Sequence, residues 1–258
     1  MNKRKKQLKS IDKLLDVMDK LREKCPWDKK QTIQSLRSLT IEETYELSDA
    51  ILENDTNSIK DELGDILIHI IFYSKIASET NKFDLSDVTN SVTERLIFRH
   101  PHVFGNLKIK NIEDVKRNWE SLKIMNGSQS VLSGIPKCLP SINKAERILD
   151  KAAAVGFDWK NNEDIIKKIK EESNEFLLEL SYQNKKNMEE EFGDLFFSLI
   201  NYARRLKIDS DKALEKANKK FMKRFTYMEG KLNIEKKKIN SLSLTEMNRL
   251  WDTAKKNT

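Results

Sequence analysis

Two groups of acidic residues with the same internal spacing stand far apart in this chain of 258 residues. The first group comprises Glu42, Glu43 and Glu46, followed by Glu62 and Asp65, and the second comprises Glu171, Glu172 and Glu175, followed by Glu191 and Asp194. Each acid of the first group recurs 129 positions later, as Glu42 does in Glu171. A fixed offset of this kind is typical of a duplicated unit.

Carboxylates gathered at one place indicate a divalent cation, because like charges repel unless a cation holds them. An all-oxygen set suits Mg²⁺, with Mn²⁺ as the alternative, better than zinc. Mg²⁺ held by a few carboxylates completes its shell with water and substrate phosphates, so the pattern predicts phosphate chemistry. The competing interpretation is a solvated helix surface, and two copies with identical spacing disfavour it.

Helices are the elements that would bring these acids together. Glu43 and Glu46 share one helix face, as do Glu62 and Asp65, because residues three apart are neighbours on a helix. A short turn makes each pair of helices antiparallel, and the rise of about 1.5 Å per residue puts their acids at nearly the same height. Four carboxylates are therefore expected to meet across one helix pair in each half. Gly64 and Gly193 would allow close helix approach or leave room for a ligand.

The rest of the chain also follows helical periodicity, with no convincing alternating strands. Helices are predicted around 11–21 and over 41–52, 59–80, 84–98, 112–125, 141–154, 164–182, 188–206, 209–229 and 243–254. Ser58 is predicted to cap the third of these helices. The prediction is an all-α protein with two related tandem helical-bundle domains, at 1–126 and 141–258, and a Gly/Pro-containing linker at 127–140.

Composition narrows the classes of partner. A net charge of +7 and a pI of about 9.1 fit either a nucleic-acid partner or a solvated surface with sites for phosphorylated small molecules. No interleaving of aromatic and basic residues supports nucleic acid, which is disfavoured. The longest apolar stretch, 66–76, is shorter than the roughly 20 residues that span a bilayer, so no membrane association is expected. Two cysteines without a framework fit a cytoplasmic setting.

Several segments around the acidic groups resemble the MazG family of nucleoside triphosphate pyrophosphohydrolases, in particular its two-domain bacterial members. Both copies match the family's EExxE and ExxD pattern, and the resemblance runs in order over about residues 8–255. The matching segments are Cys25-Pro26-Trp27-Asp28-Lys29, Leu39-Thr40-Ile41 with the first acidic group, Arg99-His100-Pro101-His102-Val103-Phe104 and Val155-Gly156-Phe157-Asp158-Trp159.

The resemblance implies a Mg²⁺-dependent, all-α, homodimeric enzyme of the cytoplasm. It implies hydrolysis of NTPs and dNTPs, ATP among them, to monophosphate and pyrophosphate, with broad base tolerance and a housekeeping role in the nucleotide pool. One position departs from the pattern, because Asn187 stands where similar proteins carry a phosphate-contacting lysine. Lys185 or Lys186 would be the substitute. The alternative is a non-catalytic, nucleotide-binding regulatory protein.

The resemblance also implies residue roles, with the C-terminal repeat as the active one. Glu172, Glu175, Glu191 and Asp194 would hold Mg²⁺, and Glu171 would position or deprotonate the attacking water. Lys168, Lys220 and Arg224 would contact the triphosphate, together with Glu171 and Glu172, and Trp251 would stack on the base or ribose. The alternative interpretation is that the three cations are solvated surface residues and that Trp251 is a core residue.

The N-terminal repeat keeps a second predicted metal site, formed by Glu43, Glu46, Glu62 and Asp65. Arg99 is aligned with Arg224, but no good counterpart of Trp251 follows it. A structural, dimer-forming or regulatory role is therefore expected for this repeat.

Overall fold

A computed structural model of the protein describes residues 2–109 and 130–258, together with residues 111, 114, 115 and 118. All regular structure in these residues is helical, which confirms the predicted fold class. The predicted helix 112–125 and the first part of the predicted linker lie largely outside the described residues. The chain divides into two compact units, Met1–Lys108 and Ile109–Thr258. Across the described segments, no helix is both long and apolar enough to cross a bilayer.

The first unit is built around a hairpin of two long helices. Its elements are α1 (Lys3–Lys24), α2 (Pro26–Lys30), α3 (Ile33–Glu53), α4 (Thr56–Ser78), α5 (Leu85–Arg99) and α6 (Pro101–Phe104). Helices α3 and α4 pack along each other, and α1 packs on α4. Met18, Leu36, Ile71 and Phe72 form the buried core where these helices meet. This core fixes the hairpin that carries the first acidic group.

The turn of this hairpin is only two residues long. Asn54 adopts the left-handed conformation (φ 59°) that ends a helix, and the Asp55 carboxylate accepts hydrogen bonds from the backbone N–H groups of Asn57 and Ser58. The prediction that Ser58 caps α4 is therefore wrong. Ser58 already lies in the first turn, where its hydroxyl donates to Asp55 Oδ2 at 2.9 Å.

One arginine joins the segment before α3 to the end of α4. Arg22 donates to both carboxylate oxygens of Glu79 at 2.8 Å, and to the backbone carbonyls of Asp28 and Gln31. The hydrogen bond with Glu79 raises the pKa of Arg22, and it lowers the pKa of Glu79. This bidentate contact holds α1, α2 and α4 in a fixed arrangement.

The second unit repeats the hairpin. Its elements are α7 (Ser141–Ala154), α8 (Asn162–Tyr182), α9 (Lys185–Arg205), α10 (Ser210–Ile234), a 3₁₀ turn (Ile239–Ser241) and α11 (Leu244–Asn257). Gln183 is left-handed (φ 56°) and the Asn184 side chain caps α9, so this turn is built like Asn54-Asp55. Arg204 donates to Asp158 Oδ1 at 2.6 Å and thereby holds the loop before α8.

Both hairpins leave large apolar side chains exposed in the single chain. In the first hairpin Tyr45 and Leu63 are more than half exposed, and in the second so are Leu177 and Phe192. Exposed apolar faces of this extent are typical of interaction surfaces.

Candidate active site

The C-terminal acidic group lies on the middle of α8 and the first half of α9. Glu172, Glu191 and Asp194 each offer a carboxylate oxygen, and these oxygens lie within 4.8 Å of one another. Glu172 is buried, with 5% of its surface exposed, whereas Asp194 is exposed. The hairpin therefore brings acids from both helices to one point, as the helical rise predicts.

A second set of oxygens overlaps the first. Glu171, Glu172 and Glu175 also lie within 4.8 Å of one another, along one face of α8. The four predicted ligands thus fall into two groups rather than one. Glu175 is grouped with Glu171 and Glu172, whereas Glu191 and Asp194 are grouped with Glu172 alone. Glu172 is the carboxylate that the two groups share.

Lys168 lies directly on this shared carboxylate. Its Nζ is 2.6 Å from Glu171 Oε1 and 2.6 Å from Glu172 Oε1. The hydrogen bond with Glu171, and to a smaller extent the one with Glu172, raises the pKa of Lys168. The ammonium therefore keeps its charge. The residue predicted to contact phosphate is therefore bound to the metal-site acids.

The negative charges of the C-terminal acidic group make it harder for each further carboxyl of the group to ionise. Burial raises the pKa of Glu191, and the charges of Glu175, Glu172 and Asp194 raise it further. A divalent cation would relieve this repulsion, and the donors are carboxylate oxygens, which fit Mg²⁺ or Mn²⁺. The residues present therefore fit the implied metal.

The glycines between the acids border open space. A Cβ placed on Gly64 or Gly193 would meet no atom within 4 Å. Close approach of the helices, one of the two predicted reasons for glycine here, is therefore wrong. The other predicted reason for glycine, room for a ligand next to Asp65 and Asp194, stays a prediction.

The N-terminal acidic group is smaller. Glu43, Glu62 and Asp65 bring oxygens within 4.8 Å of one another, and Glu46 is not part of this group. Burial, followed by the charges of neighbouring acids, raises the pKa of both Glu43 and Glu62. One oxygen of Glu62 is buried and has no hydrogen-bond partner among the described residues.

Among the described residues, no lysine forms an ion pair with this N-terminal group. The position equivalent to Lys168 is Leu39, which packs against the core of the first unit. Among the ion pairs within residues 2–109, none involves Glu43, Glu62 or Asp65.

The other predicted phosphate contacts, Lys220 and Arg224, lie on α10, and the predicted base contact, Trp251, lies on α11. The Arg224 guanidinium carbon is 5.9 Å from the centroid of the Trp251 ring, and the ring of Phe221 is 5.0 Å from the same ring. Arg224 Nε is buried without a hydrogen-bond partner among the described residues, and Lys220 is exposed one turn earlier. The structure thus brings Arg224 and Trp251 together. In the described part of this unit, no hydrogen bond or ion pair joins Lys220, Arg224 or Trp251 to the acids.

Sequence reasoning missed Arg95, the counterpart of Lys220. Helices α5 and α10 are both capped by aspartate, Asp84 and Asp209, whose carboxylates accept from the N–H three residues on. Alignment on these caps pairs Arg99 with Arg224, as predicted, and also pairs Arg95 with Lys220. The offset of 129 hid this pair, because the connection before the capped helix is shorter in the second repeat. The aspartate caps were the signal that could have found it.

The comparison with protein families decides the assignment. The model described as "MazG nucleotide pyrophosphohydrolase domain" matches residues 31–104 and 160–228, and each match contains one acidic hairpin. The chain belongs to the MazG nucleotide pyrophosphohydrolase family. It therefore carries two tandem MazG domains, as the repeated spacing predicts.

Individual relatives agree with this family. A protein of Escherichia coli (strain K12) named "Nucleoside triphosphate pyrophosphohydrolase" is 36% identical over 96% of this chain and 98% of its own length. A Thermotoga maritima protein named "Nucleoside triphosphate pyrophosphohydrolase/pyrophosphatase MazG" is 39% identical over 95% of each chain. The solved structure of a mazG-related protein from Thermotoga maritima covers 44% of this chain and 98% of its own, with 27% identity and a TM-score of 0.40.

Proposed function

We propose that this MazG chain hydrolyses nucleoside triphosphates to nucleoside monophosphate and pyrophosphate in a Mg²⁺-dependent reaction. The observation that carries the proposal is Glu172, the buried carboxylate common to both acidic groups of the C-terminal hairpin. The names of the Escherichia coli and Thermotoga maritima relatives support the same reaction. The reaction is proposed to serve the cytoplasmic nucleotide pool.

The C-terminal repeat is the catalytic one in this proposal. Glu172, Glu191 and Asp194 hold Mg²⁺, or Mn²⁺ in its place, with Glu175 as the fourth acid. When bound, the metal supplies positive charge against the negative charge that develops on the phosphate oxygens. Glu171 is exposed beside Glu172 and is placed to orient or deprotonate the attacking water.

The cations and Trp251 bind the nucleotide. Lys168, Lys220 and Arg224 contact the triphosphate, and the Nε of Arg224 supports this role because it has no hydrogen-bond partner among the described residues. Trp251 stacks on the base or ribose, and a flat contact tolerates many bases, which fits broad base tolerance. No side chain is needed as a covalent nucleophile, since water attacks the phosphate directly.

The N-terminal repeat has a structural, dimer-forming or regulatory role. It retains acids for a second metal site, but Leu39 stands at the position of Lys168. The exposed apolar faces of the hairpins support a homodimer that covers them. Light scattering should give a mass of twice the 30.2 kDa of the chain. A monomeric mass at micromolar concentration would refute the dimer.

The reaction is tested by product analysis on a panel of NTPs and dNTPs, ATP included, with Mg²⁺ and with a chelator. Equal amounts of pyrophosphate and monophosphate from several bases, released only with the metal, are expected. Release of orthophosphate would contradict the proposed reaction. Nucleotide binding without any product would support the alternative, a regulatory binding protein.

A further inference from the structure

The ammonium of Lys168 lies on a carboxylate that is also a proposed metal ligand. It contacts Glu172, the carboxylate common to both groups, at 2.6 Å, and Glu171 at the same distance. Glu172 is almost fully buried, whereas the Lys168 side chain is 34% exposed and reaches the acid from the solvent side. A lysine side chain is a point charge on a flexible stem, so it can leave one acceptor for another.

The N-terminal repeat shows what the same acids look like without this lysine. Leu39 replaces Lys168, and the pKa of Glu43 and of Glu62 is raised by burial and by neighbouring acids. In the part of the chain that the structure describes, an ammonium paired with these acids is therefore found at the C-terminal site and not at the N-terminal one.

We propose that Lys168 is an internal counter-ion of the C-terminal carboxylates, and that it exchanges Glu172 for a substrate phosphate when a divalent cation binds. Metal binding and triphosphate binding are then coupled through one side chain, because the metal releases the ammonium that the phosphate receives. The phosphate half of this inference rests on the proposed function. The metal half depends only on the geometry of Lys168 and its two acids.

The metal half is tested without nucleotide in full-length protein. Glu43→Gln with Asp65→Asn removes the N-terminal group, and the binding of Mn²⁺ to the remaining group is measured by electron paramagnetic resonance at pH 8. Lys168→Met should lower the Mn²⁺ dissociation constant by about fivefold, because an opposing charge has been removed. Lys170→Met removes an exposed lysine from the same helix and should change the constant less than twofold. An unchanged or weaker Mn²⁺ affinity in Lys168→Met would overturn the proposal.

Displacement itself has a separate readout. Modification of Lys168 by an amine-reactive reagent, followed by mass spectrometry, should increase severalfold when Mg²⁺ is added to the wild-type protein. Lys170 in the same spectra should not change. Equal labelling of Lys168 with and without Mg²⁺ would show that the ammonium stays on Glu172, and this would overturn the exchange.

The phosphate half of the inference predicts that the same substitution weakens substrate binding, the opposite of its effect on metal binding. Lys168→Met should raise KM for a nucleoside triphosphate by about tenfold even though it tightens metal binding. A lysine with only a structural role would weaken both. A further outcome is that the wild-type protein releases no pyrophosphate while Lys168→Met still lowers the Mn²⁺ dissociation constant. That result would refute the proposed reaction and support the role of Lys168 as a counter-ion.

Discussion

The two acidic hairpins contain the same five acids, yet their surroundings differ. In the second hairpin Glu172 joins two overlapping groups and is neutralised by Lys168, and Arg224 and Trp251 lie together on neighbouring helices. In the first hairpin three acids gather, Leu39 takes the place of the lysine, and Arg95 and Arg99 stand at the positions of Lys220 and Arg224. Duplication thus kept the acids and changed what surrounds them. The acids alone do not distinguish a catalytic repeat from a supporting one.

The largest expected effect concerns Trp251, whose ring lies beside the Arg224 guanidinium in the second repeat. Trp251→Ala should lower kcat/KM by about tenfold or more, since stacking on a base contributes about 1–3 kcal/mol. The loss should be similar for purine and pyrimidine nucleotides in a pyrophosphate-release assay. Trp251→Phe keeps a flat ring and should recover most of the activity. A loss confined to one base would contradict stacking as the source of base tolerance.

The arginines give a paired test of the repeats. Arg224→Gln should raise KM by about tenfold, because a charge-assisted contact to phosphate is lost. Arg99→Gln, at the equivalent position of α5, should change KM less than twofold. Steady-state kinetics on the two variants decides between them. Equal effects would mean that both repeats bind the substrate.

The acids of the first repeat, which form no ion pair with the described residues, should weaken the metal-free fold. Because the folded state raises the pKa of Glu62, the ionised acid opposes folding above that pKa, and the opposition disappears as the pH falls through it. Glu62→Gln should therefore raise the melting temperature by about 1–2 °C at pH 8 in a chelator, and the gain should shrink towards pH 5.

The control is Glu191→Gln in the second repeat, where Lys168 pairs with the neighbouring Glu172. Its melting temperature at pH 8 should rise less than that of Glu62→Gln. Calorimetric scans of both variants measure this difference. A larger gain for Glu191→Gln would contradict the neutralising role of Lys168.

The smallest expected effect concerns the open space at Gly193. Alanine meets no atom there and favours the helix, so Gly193→Ala should fold well. If the nucleotide or metal shell uses this space, KM should rise about threefold for Gly193→Ala, following a small steric loss. Gly64→Ala and Gly230→Ala, which also border open space, should leave KM unchanged. An unaltered KM in Gly193→Ala would show that the space is not used.

Much of this architecture could be predicted from the sequence, because helical periodicity and turn residues are local. The hairpins, and the meeting of acids from both helices, follow from the spacing of Glu43, Glu62 and their repeats. The cap at Asp55 was missed because Ser58 is an equally good capping residue by type, and only the observed start of α4 decides between them.

The contacts of long side chains could not be predicted in the same way. Spacing puts Lys168 on the face of Glu172, but solvent, phosphate and carboxylate compete for the ammonium, and only coordinates show which one it contacts. Arg95 was missed for a different reason, since the repeat offset changes between α4 and α5.

The most direct test of the account is the rate of pyrophosphate release by two matched variants, Glu175→Gln in the second repeat and Glu46→Gln with Asp65→Asn in the first. The account predicts that Glu175→Gln abolishes turnover with the fold intact by circular dichroism, whereas the first-repeat variant retains near-wild-type turnover. Retained activity in Glu175→Gln together with complete loss in the first-repeat variant would contradict it and move catalysis to the N-terminal hairpin.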